Sequence, residues 1–172
     1  MAEKRGGKRD DGGALAARLS GLRGLMEKNK LDGLLITCME NIRYLTGFTG
    51  SAASVVVTQE RAHFLTDGRY TTQAREQVRG YRVKRYKAPL REVAELINSL
   101  SMNRLGIEAE HMTHSSFKML KDFLDVSQVR STSGLVEELR LVKDERELEA
   151  MRGAAGMVES ALINVMREMR PG

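Results

Sequence analysis

The chain has 172 residues, a formal charge of +5, and 41% hydrophobic and 30% charged residues. That balance suits one α/β domain with a usable core, and the small charge excess does not by itself imply a nucleic-acid partner. No apolar run approaches the roughly 20 residues of a membrane span, and a single cysteine, Cys38, excludes an intrachain disulfide and fits a reducing cytoplasm.

Met1 to Gly13 is polar and glycine-rich, so a loose tail is expected over residues 1–13, with no apolar core of a signal peptide. From Ala14 the pattern changes. Leu15, Leu19, Leu22 and Met26 place one apolar stripe on a helix that runs to about Lys30. Gly33 to Thr37 reads as a strand buried on both faces. Ala52 to Thr58 and Ala62 to Thr66 are β-prone, and the short break between them predicts an antiparallel hairpin. A helix is expected from Arg69 to Val78, capped by Asp67 at its start and closed by Gly80. Tyr81 to Tyr86 is the next strand. Pro89 opens another helix carrying Leu90, Val93, Ala94, Ile97 and Leu100. Arg104 to Ile107 is a short strand, Thr113 to Leu124 a helix, and Val126 to Arg130 an edge strand. At the C-terminal end, Asp144 and Glu147 resemble a capping box, and Leu148, Met151, Ala155, Val158, Leu162, Val165 and Met169 form the stripe of a long amphipathic helix. Alternating helices and strands with one hairpin predict an α/β fold, a mixed sheet with helices on both faces.

Two stretches are distinctive. Asn41-Ile42-Arg43-Tyr44-Leu45-Thr46-Gly47-Phe48-Thr49-Gly50-Ser51 lies between two predicted strands. It reads either as a plain crossover loop with Tyr44 and Phe48 in the core, or as a rigid loop offering aromatic and arginine side chains to a peptide. No phosphate-binding glycine motif is present. Thr66-Asp67-Gly68-Arg69-Tyr70 marks a strand-to-helix junction, where a structural role outranks catalysis on local grounds.

Other residues carry less. His111 and His114 lie near Glu108 and Glu110, but the spacing does not match a helical zinc motif, so no metal is expected in this chain. His63 stands alone in a strand. Cys38 reads as a buried, inert thiol, and the methionines as core filling. Arg75, Arg79, Arg82, Lys84, Arg85, Lys87 and Arg91 form a basic run against Glu76 alone. It is read as a solvated surface, or as a face for an acidic partner.

In this order and spacing, the two distinctive stretches resemble the creatinase/prolidase N-terminal domain of Xaa-Pro aminopeptidases and Xaa-Pro dipeptidases. Gln73-Ala74 follows the second stretch as it does in that family. Ile107 to Thr113 resembles the family's later strand-to-helix junction, and Leu135 to Glu145 its interdomain linker. The resemblance implies a ribonuclease-H-like topology over residues 14–134, with residues 135–172 as a linker and the first helix of a catalytic domain. It implies that the chemistry belongs to that following pita-bread domain, where two divalent metal ions are held by two aspartates, a histidine and two glutamates. The expected role is therefore non-catalytic: helping to build a homodimer and bordering the site for a proline-containing peptide, with the chain's own catalytic domain as partner, and no nucleic acid or membrane. Asn41, Arg43, Tyr44 and Phe48 are the candidates for substrate-side contact. Asp67, Arg69 and Tyr70 are candidates for interface or fold support. A stand-alone interaction module without peptidase activity is the alternative.

Overall fold

The computed structural model describes residues 12–170. The tail expected over residues 1–13 lies outside the described residues up to residue 11; Gly12 and Gly13 already belong to the first helix. The elements run α1 (Gly12–Lys28), β1 (Gly33–Ile36), α2 (Met39–Thr46), β2 (Ala53–Thr58), β3 (Ala62–Thr66), α3 (Thr71–Gln77), β4 (Arg82–Arg85), α4 (Pro89–Ser99), β5 (Arg104–Glu108), α5 (His114–Lys121), β6 (Gln128–Thr132), α6 (Leu135–Leu141) and α7 (Glu145–Glu168).

The strands form one six-stranded mixed sheet in the order β4-β3-β2-β1-β5-β6. β1, β2 and β3 are antiparallel neighbours, while β5 and β6 run parallel to β1, the ribonuclease-H-like arrangement, and β4 adds a parallel edge beside β3. Successive side chains of a strand point to opposite faces, and β1 shows the consequence. Leu34 and Ile36 enter one core with Leu22, Met26, Ile42, Phe48 and Phe64, whereas Leu35 enters the other with Val93, Ile97, Leu105 and Leu120. Each fully buried Leu or Met of this kind contributes roughly 1.5–3 kcal/mol relative to exposure. Gly106 is small because a Cβ there would come within 2.9 Å of Leu31 and Leu34 side-chain carbons.

Two segments differ from expectation. The stretch read as a loop begins as helix α2. Ile42 and Leu45 are buried on it, and Gly47 closes it with φ 74° and its N–H donated to the Arg43 carbonyl. The segment read as a linker begins with α6, whose Leu135 and Val136 are buried in the sheet unit. That unit ends at Leu139, and a second compact unit starts at Arg140. The second unit contains α7, which opens with the expected capping box. Asp144 accepts from the Glu147 N–H at 2.9 Å, and Glu147 accepts from the Asp144 N–H at 3.0 Å.

Helix α1 ends without glycine. The Leu31 N–H reaches the Met26 carbonyl and the Lys30 N–H the Glu27 carbonyl, a Schellman closure that holds Lys30 at φ 55°. At α3 the expected caps are not used. Tyr70 occupies the N-cap position without a side-chain cap, and Val78, in an extended conformation, ends the helix. Gly80 adopts φ 78° in the turn that leads to β4.

Candidate functional site

The carboxyl ends of the parallel strands β1 and β5 converge on one buried carboxylate. Glu108, the last residue of β5, is 7% exposed. Its Oε2 accepts from the Thr37 N–H at 2.6 Å and the Cys38 N–H at 2.8 Å, at the start of α2. A negative charge at a helix start also meets the favourable end of the helix dipole. Its Oε1 accepts from Asn41 Nδ2 at 2.7 Å, and the same amide donates at 2.6 Å to Oε1 of Glu137 in the first turn of α6. His111, in the turn after β5, places Nε2 3.8 Å from that Glu137 oxygen. Cys38 donates its thiol to Glu40 Oε2 at 3.2 Å. Burial, with the Glu40 hydrogen bond and the Glu108 charge, pushes the Cys38 thiol above its ordinary pKa. In an open sheet the crevice at the carboxyl ends of parallel strands is where ligands most often bind.

The two distinctive stretches meet elsewhere, at the start of α3. The Phe48 ring packs edge-on against Phe64 at 4.9 Å and against Tyr70 at 5.7 Å between centroids. Gly50 leaves room for that ring, since a Cβ there would overlap the Phe48 edge and lie 2.9 Å from Tyr70. Tyr70 shares a 2.8 Å hydrogen bond with Ser51, and Gln73 donates to Thr49 at 2.9 Å. Asp67 binds Arg69 twice, through the Arg69 N–H at 2.8 Å and the guanidinium at 2.7 Å. That pairing holds the Asp67 carboxyl below the usual range.

Among the four residues expected at a substrate rim, the structure buries Asn41 and Phe48 completely or nearly so. Asn41 ties α2 to β5 and α6, and Phe48 is core, so within this domain neither is a surface contact. Tyr44 is half-buried; its hydroxyl donates to the Leu139 carbonyl at 3.2 Å, and the Arg18 guanidinium lies 4.1 Å from its ring centroid. Arg43 is exposed. Asp67 pairs with Arg69, and Tyr70 contacts Ser51 and Phe48. His63 is buried on β3, where burial and the charges of Arg82, Arg61 and Lys84 push its pKa down. Within the segment Glu108 to His114, His111 is the residue that joins a group of three potential ligands, with Cys38 and Glu137.

The family model for the creatinase/prolidase N-terminal domain matches residues 18–142. The chain belongs to that family. It is 35% identical over 156 residues to the uncharacterized peptidase YqhT of Bacillus subtilis, a match covering 90% of this chain and 44% of the relative. It superposes on the Xaa-Pro dipeptidase from Bacillus anthracis with a TM-score of 0.88 at 34% identity, covering 92% of this chain and 44% of that one. It also matches the N-terminal domain of the cytoplasmic peptidase PepQ from Mycobacterium tuberculosis, with a TM-score of 0.68 and 34% identity over 72% of this chain and 98% of that one. The chain thus spans less than half the length of the full-length relatives it matches. The two stretches that carry the resemblance pack together, Phe48 with Tyr70 and Thr49 with Gln73.

Among the described residues no group combines the two aspartates, the histidine and the two glutamates that the resemblance implies for the following domain. Among the described residues the one group of three potential ligands is Cys38, His111 and Glu137. No helix of the described residues is long and apolar enough to cross a membrane. Sequence reasoning missed α2 and the polar network at its start. The spacing of Ile42 and Leu45 ahead of Gly47 was a usable sign of the helix; nothing local links Cys38, Glu108 and Glu137.

Proposed function

We propose that this chain is the non-catalytic N-terminal domain of a dinuclear-metal Xaa-Pro peptidase, contributing to dimerisation and to the rim of the peptide-binding site. The observation that supports this most is coverage. Relatives named as peptidases match 90% or more of this chain, yet use only 44% of their own length to do so. On this reading the remaining length would hold the two metal ions, which would supply an activated water for hydrolysis of the amide before proline. The chain alone is then inactive. Incubated with divalent metal and an Xaa-Pro dipeptide, the purified 172-residue chain is expected to show no turnover. Turnover that follows the chain through purification overturns the reading.

Within the rim, Arg43 is the residue to test, because it is exposed while Asn41 and Phe48 are held in the interior. In the longer peptidase, Arg43→Ala should raise KM severalfold and leave kcat unchanged, the mark of a contact made equally in ground and transition states. An unchanged KM removes Arg43 from the rim.

A second reading, a stand-alone interaction module, draws on one observation. Arg75, Arg79, Arg82, Lys84, Arg85, Lys87 and Arg91 are all exposed around the edge strand β4. Salt-sensitive capture of an acidic protein by the native chain, lost when Arg82, Lys84 and Arg85 become glutamine, would favour it.

A further inference from the structure

We propose that Cys38, His111 and Glu137 form a binding site for a single zinc-type transition-metal ion at the carboxyl end of the sheet. The three come from separate elements: the residue that starts α2, the turn after β5, and the first turn of α6. A thiol sulfur, an imidazole nitrogen and a carboxylate oxygen all lie within 4.8 Å of one another. Zinc bonds to these donors are about 2.0–2.3 Å long, so tetrahedral ligands sit roughly 3.3–3.7 Å apart. The His111 Nε2 to Glu137 Oε1 distance of 3.8 Å is already close to that edge length. The other ligand atoms lie within 4.8 Å, so closing the set takes a contraction of up to about 1 Å, and the His111 side chain, 39% exposed, is the least enclosed of the three.

The surroundings are those a metal site needs. Metal ligands are usually held by a second layer of hydrogen bonds. Here the Asn41 amide orients the Glu137 carboxylate, and Glu108 fixes the Cys38 backbone by accepting its N–H. The main-chain carbonyl of Glu108 also anchors the turn, accepting from the His111 N–H at 3.4 Å and the Met112 N–H at 3.2 Å. One residue therefore positions two of the three ligand-bearing segments, and Asn41 positions the third.

Donor chemistry selects the ion. A thiolate with imidazole and carboxylate suits zinc and its neighbours rather than magnesium or calcium, which prefer oxygen alone. On binding, the Cys38 S–H bond breaks, its proton leaves to solvent, and bonds form from sulfur, nitrogen and oxygen to the ion. A dipositive ion with one thiolate, one carboxylate and one neutral imidazole is electrically balanced. Three protein ligands leave the fourth tetrahedral position to water.

The test uses the whole chain, reduced and stripped with chelator. Calorimetric titration with zinc chloride is expected to give one ion per chain. Cobalt chloride should produce a thiolate-to-cobalt charge-transfer band. Cys38→Ser should abolish the band, and His111→Ala and Glu137→Gln should each weaken zinc binding by at least about tenfold. His114→Ala, which alters a neighbouring histidine outside the group, should bind as the parent does. Because His111 is exposed, His111→Ala tests the site even if a Cys38 variant folds poorly. No saturable binding by the parent chain, or a cobalt band retained by Cys38→Ser, overturns the proposal. So does a loss in His114→Ala equal to that in His111→Ala.

Discussion

The two ends of the parallel pair β1 and β5 are each closed by a carboxylate, and they are closed differently. At the carboxyl end, Glu108 of β5 reaches across to the Thr37 and Cys38 N–H groups that follow β1. At the amino end, Asp32 ahead of β1 reaches across to the Asn103 and Arg104 N–H groups at the start of β5, at 3.2 and 2.8 Å. Asp32 has a countercharge, the Arg104 guanidinium at 2.6 Å, and remains partly in water. It faces an open groove of about 750 Å³ lined by Arg61, Ser101 and Met102 among others. Glu108 is buried and takes its other hydrogen bonds from neutral groups, the Asn41 amide and the Thr37 hydroxyl. The lesson is that the same strand-bridging device serves as a solvated clasp at one end and as the framework of a polar site at the other.

The sharpest way to break this comparison is to remove each carboxylate. Glu108→Ala removes the acceptor of the Thr37 and Cys38 N–H groups and one of the two acceptors of the Asn41 amide, and should cost about 3 kcal/mol by urea denaturation. Water can replace Asp32, so Asp32→Ala should cost only about 1 kcal/mol. Equal losses would mean that burial does not separate the two ends. Asn41→Ala comes next. It removes the bridge between Glu108 and Glu137, with an expected loss of about 1–2 kcal/mol, and the same measurement checks it.

A pH series sharpens the contrast further. Hydrogen bonding to Arg104 lowers the Asp32 pKa below its ordinary value of 3.8. The group is more acidic folded than unfolded, so its contribution is complete above pH 3.8 and is lost as pH falls through the lower, folded value. The stability gap between the parent and Asp32→Asn should therefore be widest near neutrality and narrow below pH 3.8. A gap that widens with acid contradicts the pairing.

The smallest effect lies in the backbone. Two residues at the amino end, Lys30 with φ 55° and Ser101 with φ 50°, occupy the left-handed region that favours glycine. Lys30→Gly and Ser101→Gly should each raise stability by up to about 1 kcal/mol, read as a shift of the thermal midpoint. No non-glycine residue among those described at the carboxyl end of this pair has a positive φ, so no comparable gain is expected there.

Much of this architecture was legible in the sequence because it depends on local chemistry. The apolar period of α1 and α4, the Val55-Val56-Val57 run, the break before Ala62 and the Asp144–Glu147 capping box each act over a few residues, and each appears as an element or cap in the structure. Helix α2 escaped because it is only eight residues long and its apolar positions are few beside a glycine-rich loop. The first turn of α6 escaped because its burial depends on a partner surface distant in sequence.

The candidate site divides in the same way. Asp67, Arg69 and Tyr70 were legible as a junction because Asp67 pairs with a residue two positions away. Composition, periodicity and turn chemistry determined the α/β class and most element positions, and motif order determined the family. Which aromatic is core and which arginine is exposed, and that Cys38, Glu108, His111 and Glu137 share one end of a sheet, was decided only by the tertiary structure. The physical reason is that a parallel sheet brings the ends of strands together across long crossover connections. Residues 70 positions apart, such as Cys38 and Glu108, then become hydrogen-bonded neighbours without any local signal in either segment.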